Sequence, residues 1–322
     1  MLPRVVLVLT IISVAARSEP SVTPTEWRGI AAVRITDGRT EAILVPKLGG
    51  RIVQYGLVGG ANWLWTGEMG AELRGEALFW GGDKTYVGPH TMWPFTLPKT
   101  WPPPAPDTSP HETLPPAAGA LFTTVSPIWP EYGARIRRDY AFGEKGELVT
   151  THTIEKVSQS RMLGAVWVIA QIVPTPLVFA PLNPKSPYKD NVFWFGWGTP
   201  REKAGATVVS PSLLQIAPVT GTVFKLGAHP SKPALAAVKD GLAFVLRSDP
   251  QEGQYPEGAD GAGLSVEVFH SDLPGTGEYT ELELLSPIRR LDKGATLTTR
   301  WNIHPVEKDG VRAAVEQLLL GM

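Results

Sequence analysis

The chain has 322 residues, 43% of them apolar and 19% charged, which is enough apolar material for a large buried core and argues against disorder. The formal net charge is −1, so there is no basic excess to attract nucleic acid or an anionic membrane surface. The sequence contains no cysteine, which excludes disulfides and thiolate chemistry.

The N-terminus carries the pattern of an export signal. Arg4 precedes an apolar run over residues 5–16 that is too short to span a bilayer. Val14 and Ala16 place small side chains at the −3 and −1 positions of a signal-peptidase site. The pattern predicts a signal peptide over residues 1–16, a periplasmic or secreted product, and no membrane span after cleavage. A retained N-terminal anchor is the alternative.

Apolar and polar residues alternate along most of the remaining chain, and 33 glycines and 31 prolines punctuate the short segments. This pattern predicts an all-β fold, a large antiparallel β-sandwich or barrel, over residues 28–306. The predicted strands are 31–35, 41–45, 51–57, 121–126, 134–142, 147–156, 163–172, 192–197, 207–210, 222–226, 242–247, 264–270, 279–285 and 296–303.

Two single residues on these strands are candidate ligand contacts. Arg51 follows a Gly-Gly turn, and its guanidinium suits hydroxyls or a carboxylate, although a salt bridge is the commoner role. His152 shares a strand face with Leu148 and Ile154, so the choice lies between a site histidine and a satisfied core histidine. The six histidines form no zinc-binding pattern, and we expect neither a metal nor a cofactor.

Residues 66–119 break the alternation, and we expect no strand there beyond a short apolar stretch near residues 78–80. The segment contains Trp80, Trp93 and Trp101, and tryptophan is scarce in disordered chains. A long ordered loop of this kind is typical of a lid or a binding loop.

The same segment holds polar groups among aromatic rings. Trp80 and two glycines are followed by Asp83, Lys84 and, further on, His90. Aromatic rings with a few convergent polar side chains are typical of saccharide sites, because the rings stack on the sugar while its hydroxyls form hydrogen bonds. The alternative is that the tryptophans only anchor the loop to the sandwich.

Near the C-terminus, alternation from Tyr279 to Leu285 puts Tyr279, Glu281 and Glu283 on one strand face. Residues two apart on a strand are separated by roughly 6.5–7 Å. Paired carboxylates at that distance suit general acid and base catalysis or a hard cation. A merely solvated strand face is the alternative. Beyond it, the apolar stripe in residues 307–322 predicts a helix that covers an open edge or end of a sheet.

Four of these segments together resemble one family. They are ILVPKLGGRI at residues 43–52, WGGDKT at 80–85, WPPP at 101–104 and YTELELLSP at 279–287. The combination resembles the DUF4380 family, an uncharacterised branch of the galactose mutarotase-like (aldose 1-epimerase-like) superfamily. The resemblance covers about residues 28–304.

The resemblance implies a β-supersandwich with a concave face that binds carbohydrate. It also implies that Glu281 is the catalytic base and that histidines protonate the ring oxygen. In this chain we predict Glu283 or His90 as the acid. The mid-chain histidine motif of mutarotases is replaced here by VWVI at residues 166–169. Arg51, Trp80, Asp83, Lys84, Trp93, Trp101 and His152 complete the predicted substrate-binding set.

Three functions remain open from the sequence. The first is an epimerase-like isomerase, or a related lyase or hydrolase, acting on a mono- or oligosaccharide. The second is a non-catalytic glycan-binding protein, which the missing histidine motif favours. The third is a structural envelope protein whose Trp- and Pro-rich loop docks a protein partner. We expect a monomer.

Overall fold

The computed structural model describes residues 18–67, 73–74, 77–78, 81–89, 91, 104–159, 161–258, 263–273 and 277–321. The predicted signal peptide and four predicted site residues, namely Trp80, His90, Trp93 and Trp101, lie outside the described residues.

The described residues form 23 β-strands and two α-helices. The strands up to residue 172 are β1 (Ser21–Trp27), β2 (Ile30–Thr36), β3 (Thr40–Val45), β4 (Arg51–Leu57), β5 (Leu73–Arg74), β6 (Ala77–Leu78), β7 (Asp83–Gly88), β8 (Glu112–Leu114), β9 (Phe122–Val125), β10 (Ala134–Phe142), β11 (Leu148–Lys156) and β12 (Leu163–Ile172). The later strands are β13 (Leu177–Pro181), β14 (Phe193–Trp194), β15 (Ala206–Ser210), β16 (Leu213–Ile216), β17 (Val223–Ala228), β18 (Ala234–Lys239), β19 (Leu242–Ser248), β20 (Val266–Leu273), β21 (Gly277–Leu285), β22 (Arg289–Arg290) and β23 (Ala295–Pro305). The helices are α1 (Pro104–Asp107) and α2 (Val311–Leu320).

The strands form two large sheets and two smaller ones. The ten-stranded sheet has the order β15-β16-β13-β18-β19-β23-β11-β10-β9-β8. The seven-stranded sheet has the order β14-β17-β20-β21-β12-β22, with β7 also paired to β12. Strands β1 to β4 form a meander, and β5 pairs with β6. Neighbouring strands in the described ranges pair antiparallel, as β10 does with β11 and β20 with β21.

The main core lies between the two large sheets, where alternate residues of both sheets are buried. The four-stranded meander contributes Tyr55, whose hydroxyl donates a hydrogen bond of 2.9 Å to the carbonyl of Trp301. The Tyr55 ring packs against the rings of Trp301 and Phe244 at centroid distances of 5.3 and 5.6 Å. The predicted all-β class, the large antiparallel sandwich and the C-terminal helix are thereby confirmed.

Helix α2 covers the outer face of the ten-stranded sheet at β13, β18 and β19. Its Val315 and Leu319 are buried against Phe179, Ala236 and Val245. These strands lie inside the sheet, so the helix lies mainly on the face of the sheet. It also reaches the edge strand β15, where Ser210 donates a hydrogen bond of 2.9 Å to Glu316. With both faces buried, β18 and β19 need no polar face, which explains their nearly continuous apolar sequences. Within the described ranges, neither helix has the length and apolar content to cross a membrane.

The expectation that residues 66–119 contain no strand other than a short stretch near residues 78–80 is wrong. Strand β7 pairs with β12 along its whole length, and β8 pairs with β9 at the edge of the ten-stranded sheet. All six residues of β7 are buried although two are charged, Asp83 and Lys84. Because β7 is buried with charged residues in it, its sequence lacks the apolar pattern by which buried strands are recognised.

Candidate functional site

The outer face of the seven-stranded sheet, which points away from the main core, carries a cluster of charged side chains. Pairing puts Lys225 of β17 opposite Phe269 of β20, and Phe269 opposite Glu281 of β21. Glu281 in turn lies opposite Gln171 of β12. Since directly paired residues project from the same face, these four side chains form one row across the sheet.

A second row lies beside the first, two residues along each strand. It contains Glu267 of β20, Glu283 of β21, Ile169 of β12 and Lys84 of β7. The intervening residues Leu282 and Leu284 point into the main core, as the alternation along this strand predicts. The structure therefore brings Glu281, Glu283 and Lys84 to one face of the sheet.

Lys225 joins the carboxylates of two glutamates. Its Nζ lies 2.6 Å from Oε2 of Glu267 and 2.9 Å from Oε2 of Glu283. The indole N–H of Trp167 donates a hydrogen bond of 2.6 Å to the same oxygen of Glu283, and the Lys225 ammonium lies 4.8 Å from the centre of that indole. Burial lowers the pKa of Lys225, but the two carboxylates outweigh it and hold its pKa above the usual value. Lys225 is therefore a fixed positive charge.

Glu267 and Glu283 face each other across this ammonium, and both are at most 1% exposed. Burial raises the pKa of Glu267 to about 8, with Lys225 opposing the rise and Glu283 adding to it. The Oε1 atom of each carboxyl is buried and has no hydrogen-bond partner. One cation between two buried carboxyls leaves one negative charge without a counterion, which favours the protonated form of Glu267.

Glu281 is the glutamate of this group that reaches solvent, because its side chain is only partly buried. The amide of Gln171 donates a hydrogen bond of 2.6 Å to its Oε1. Burial of the carboxyl raises the pKa of Glu281 to about 7, with Lys84 lowering it and Glu283 raising it further. A carboxyl that titrates near neutral pH can both accept and donate a proton there. We call Lys225, Glu267, Glu281 and Glu283 the glutamate cluster.

A line of aromatic rings runs beside the glutamate cluster. The rings of Trp65 and Tyr279 are 4.8 Å apart between centroids, those of Tyr279 and Phe269 are 6.0 Å apart, and those of Phe269 and Trp197 are 6.0 Å apart. Trp197, at the outer end, is 46% exposed. We call these four residues the aromatic band, and Glu281 lies next to it because Phe269 is its cross-strand partner.

Asp83, predicted to bind substrate, points to the other side of β7 from Lys84. Its Oδ1 accepts a hydrogen bond of 2.5 Å from the N–H of Ile52, and its Oδ2 lies 2.9 Å from Nη1 of Arg138. Both charged side chains are 1% exposed. Alternation thus separates Asp83, which is paired in the interior, from Lys84, which lies with the glutamate cluster.

Arg51 and His152 also bind protein groups in the interior. The Arg51 guanidinium donates hydrogen bonds of 2.8 and 2.5 Å to the carbonyls of Leu48 and Gly81, and it lies 3.1 Å from Oδ1 of Asp107. His152 uses both ring nitrogens, at 2.9 Å from Thr85 and 3.1 Å from Thr299.

Burial holds the pKa of His152 well below its usual value, so the ring is neutral. Arg51, Asp83 and His152 therefore lie apart from the face that carries the glutamate cluster.

Sequence reasoning did not single out Lys225, Glu267, Gln171 or the rings of Trp65, Phe269 and Trp197. The sequence does carry a signal for Lys225 and Glu267, because each is a single charged residue between apolar ones, in VFKLGA of β17 and VEVF of β20. On a strand whose other face is in the core, such a residue marks the outer face. Within the described residues, no group of three or more histidine, aspartate or glutamate side chains is arranged to hold a metal ion.

No protein-family model matches the sequence, and no curated protein matches it. Solved structures do match. A galactose mutarotase-like protein from Clostridium acetobutylicum aligns at 11% identity and a TM-score of 0.56, over 89% of this chain and 99% of that one. A galactose mutarotase-like protein from Lactobacillus casei aligns at 12% identity and a TM-score of 0.55, over 85% and 100% of the two chains.

A TPR-domain containing protein from Parabacteroides distasonis aligns at 12% identity and a TM-score of 0.55. The match covers 86% of this chain and 48% of that protein, so this chain spans about half of its length. At identities this low the similarity shows the fold, which is the galactose mutarotase-like β-sandwich predicted from the sequence motifs. Membership of the DUF4380 family stays a prediction.

Proposed function

We propose that the protein binds a carbohydrate on the outer face of the seven-stranded sheet and interconverts its anomers, as an aldose 1-epimerase-like isomerase. The observation that carries the proposal is the position of Glu281. It is a partly exposed carboxyl with a pKa raised to about 7, directly opposite Phe269 of the aromatic band and under the influence of the cations Lys84 and Lys225. Two solved structures with this fold are described as galactose mutarotase-like, which agrees with a sugar as substrate.

Sugar binding follows from the aromatic band. The C–H face of a pyranose stacks on aromatic rings, and its hydroxyls need polar partners at the rim. Trp65 supplies a partly exposed ring at one end of the band, and the buried Tyr279 packs behind it. Gln171 supplies an amide beside Glu281. The three tryptophans that lie outside the described residues stay predicted as further stacking partners.

The reaction needs one base and one acid. In its ionised form, Glu281 takes the proton from the anomeric hydroxyl while an acid gives a proton to the ring oxygen. The bond between C1 and the ring oxygen breaks, and C1 becomes the aldehyde carbon of the open chain. Rotation about C1–C2 and the reverse proton transfers close the ring as the other anomer. No atom is gained or lost, and both groups return to their starting state.

Of the two acids that the sequence predicts, Glu283 is 0% exposed and its Oε2 accepts hydrogen bonds from Lys225 and Trp167, so it does not reach a sugar on the surface. We assign the acid to His90, which lies outside the described residues and stays a prediction. Arg51, Asp83 and His152 are assigned to holding β4, β7 and β11 in place, since their polar atoms bind protein groups.

Polarimetry with freshly dissolved α-anomers of a panel of aldoses tests this function. We expect the wild-type protein to speed anomer exchange above the buffer rate, and Glu281→Gln to lose about 100-fold or more of that activity. Glu26→Gln, on the exposed part of β1, is the matched control and keeps full activity. Rates equal to buffer across the panel would reject the isomerase function.

Non-catalytic glycan binding is the second candidate, and the 46% exposure of Trp197 favours it, because an exposed indole in line with three other rings suits an extended ligand. Calorimetry against oligosaccharides is expected to show weaker binding for Trp65→Ala and Trp197→Ala. Trp27→Ala, an indole on β1, is the control. Wild-type affinity in Trp65→Ala and Trp197→Ala, as in the control, would contradict stacking on the aromatic band.

A further inference from the structure

Gln171 of β12 is a buried amide in direct contact with the proposed base. Its Nε2–H donates a hydrogen bond of 2.6 Å to Oε1 of Glu281. From the described residues, the Glu281 carboxyl accepts no second hydrogen bond. Its Oε2 is therefore the oxygen that is left to take a proton from the substrate. Gln171 itself is 0% exposed, so it acts on the site through Glu281.

The backbone of Gln171 is held on the side away from Glu281. Its N–H donates a hydrogen bond of 3.0 Å to the carbonyl of Gly82, and its carbonyl accepts one of 2.9 Å from the N–H of Trp65. Gln171 and Glu281 lie directly opposite each other in the pairing of β12 with β21. Because the Gln171 backbone bonds to its other neighbours, the two residues form a non-hydrogen-bonded pair, whose Cα atoms are about 4.5 Å apart and whose side chains approach most closely. The strand pairing thus fixes the contact between amide and carboxyl.

The other end of the amide is an acceptor that is left over. Oε1 of Gln171 is buried and has no hydrogen-bond partner in the described part of the chain. A half-turn of the amide exchanges its oxygen and its nitrogen at nearly the same positions. The contact can then form in the opposite sense, with a protonated Glu281 donating its O–H to Oε1 of Gln171. Among the described residues, Glu281 is the partner of the Gln171 side chain, so the half-turn breaks no bond to a third residue.

The proposed reaction needs the contact in both senses, because the base is ionised when it takes the proton and protonated until it returns it. A lysine or arginine in place of Gln171 could only donate and would favour the ionised form alone. The charged groups that face Glu281 come from four strands: Lys84 of β7, Lys225 of β17, Glu267 of β20 and Glu283 of its own strand β21. They act on the Glu281 carboxyl through their charge, whereas the neutral amide bonds to it directly.

We propose that Gln171 is a positioning residue for the isomerase reaction, which holds Glu281 with Oε2 toward the sugar and reverses its amide when Glu281 is protonated. The inference rests on the proposed function, because it gives Gln171 a part in the same proton transfers. The neutral amide keeps one hydrogen bond to the base throughout the cycle, so the carboxyl stays in place while its charge changes.

The pH dependence of kcat/KM in Gln171→Met, measured by polarimetry with the aldose that the wild type converts fastest, tests the proposal. Methionine has a similar length and neither donates nor accepts a strong hydrogen bond. The bond to the ionised carboxylate is the stronger of the two, so its loss raises the pKa of Glu281 above about 7. We expect the acid limb of the profile to move up by roughly one pH unit, with a loss of about tenfold on the alkaline plateau. Gln215→Met, on β16 of the ten-stranded sheet, is the matched control and keeps the wild-type profile.

NMR titration of the carboxyl carbons in protein with isotope-labelled glutamate gives the midpoint of Glu281 without any sugar, and Glu281→Gln assigns its signal. Thermal unfolding shows whether Gln171→Met is folded. An unchanged midpoint, or a loss of kcat/KM that is equal at every pH, would overturn the proposal and leave the isomerase function standing. A wild-type protein that exchanges no anomers would reject the isomerase function and with it the catalytic part of Gln171, while the midpoint still shows whether the amide controls the proton on Glu281.

Discussion

Replacement of Lys225 by methionine removes the cation that lies between two buried carboxyls. Its Nζ bonds to Glu267 and Glu283 are 2.6 and 2.9 Å long, and both glutamates are at most 1% exposed. Breaking a buried ion pair from one side costs about 3–5 kcal/mol, because the remaining charge stays buried without a partner. Here two carboxyls lose the same partner, so we expect at least that loss of unfolding free energy in alkaline solution.

The loss depends on pH in a direction that follows from the glutamates. The folded-state pKa of Glu267 is already raised to about 8, above its ordinary value of 4.5, and without Lys225 it rises further. A folded state that binds a proton more tightly than the unfolded state is most stable below pH 4.5 and loses stability as the pH rises through the folded-state pKa. The Lys225→Met variant is therefore expected to be close to the wild type at pH 5 and much weaker at pH 8.5.

Denaturation by urea at pH 5 and pH 8.5, followed by tryptophan fluorescence, measures both free energies. Lys203→Met, at an exposed position, is the control and is expected to change neither. Combining Lys225→Met with Glu267→Gln and Glu283→Gln removes the charges and is expected to restore most of the loss at pH 8.5. An equal loss at both pH values, or no recovery in the combined variant, would refute this account of the glutamate cluster.

Three further substitutions test buried contacts elsewhere in the fold. Asp83→Asn leaves the buried guanidinium of Arg138 without its counterion and is expected to cost about 3–5 kcal/mol of unfolding free energy in urea. Gly49→Ala is expected to cost about 1–3 kcal/mol or more, because Gly49 has φ = +65° and a Cβ there would lie 1.8 Å from the carbonyl oxygen of Asp107. Leu319→Ala removes a buried contact of α2 and is expected to cost about 2–5 kcal/mol, measured as a fall in the unfolding midpoint.

Each of these substitutions has a matched control elsewhere in the chain. Asp292→Asn removes a solvent-screened ion pair with Arg290 and is expected to leave the unfolding free energy close to that of the wild type. At Gly59, φ is +72° but nothing lies within 4 Å of an added Cβ, so alanine there tests backbone strain without a clash. Gln317→Ala changes an exposed position of α2. Losses as large in the controls as in the three test variants would contradict the assigned contacts.

The sequence by itself determined the class of fold and part of the glutamate cluster. Alternation is local, because successive side chains of a strand point to opposite faces, so the sequence of β21 places Glu281 and Glu283 together whatever the strand pairs with. Short segments in which apolar and polar residues alternate, separated by glycine and proline, predict the all-β class for the same local reason. Helix α2 was predicted from its own apolar stripe, but the surface that it covers was not.

Only the tertiary structure decided which distant strands meet. Lys225 and Glu283 are 58 residues apart, and no local pattern indicates that their side chains bond. Asp83 and Lys84 are adjacent in sequence, yet they lie on opposite faces of β7. Asp83 pairs with Arg138 in the interior, and the pairing of β7 with β12 places Lys84 in the same row as Glu283. The register between strands that are distant in sequence determines which side chains are neighbours. It therefore determines both the Lys225–Glu283 contact and the different surroundings of Asp83 and Lys84.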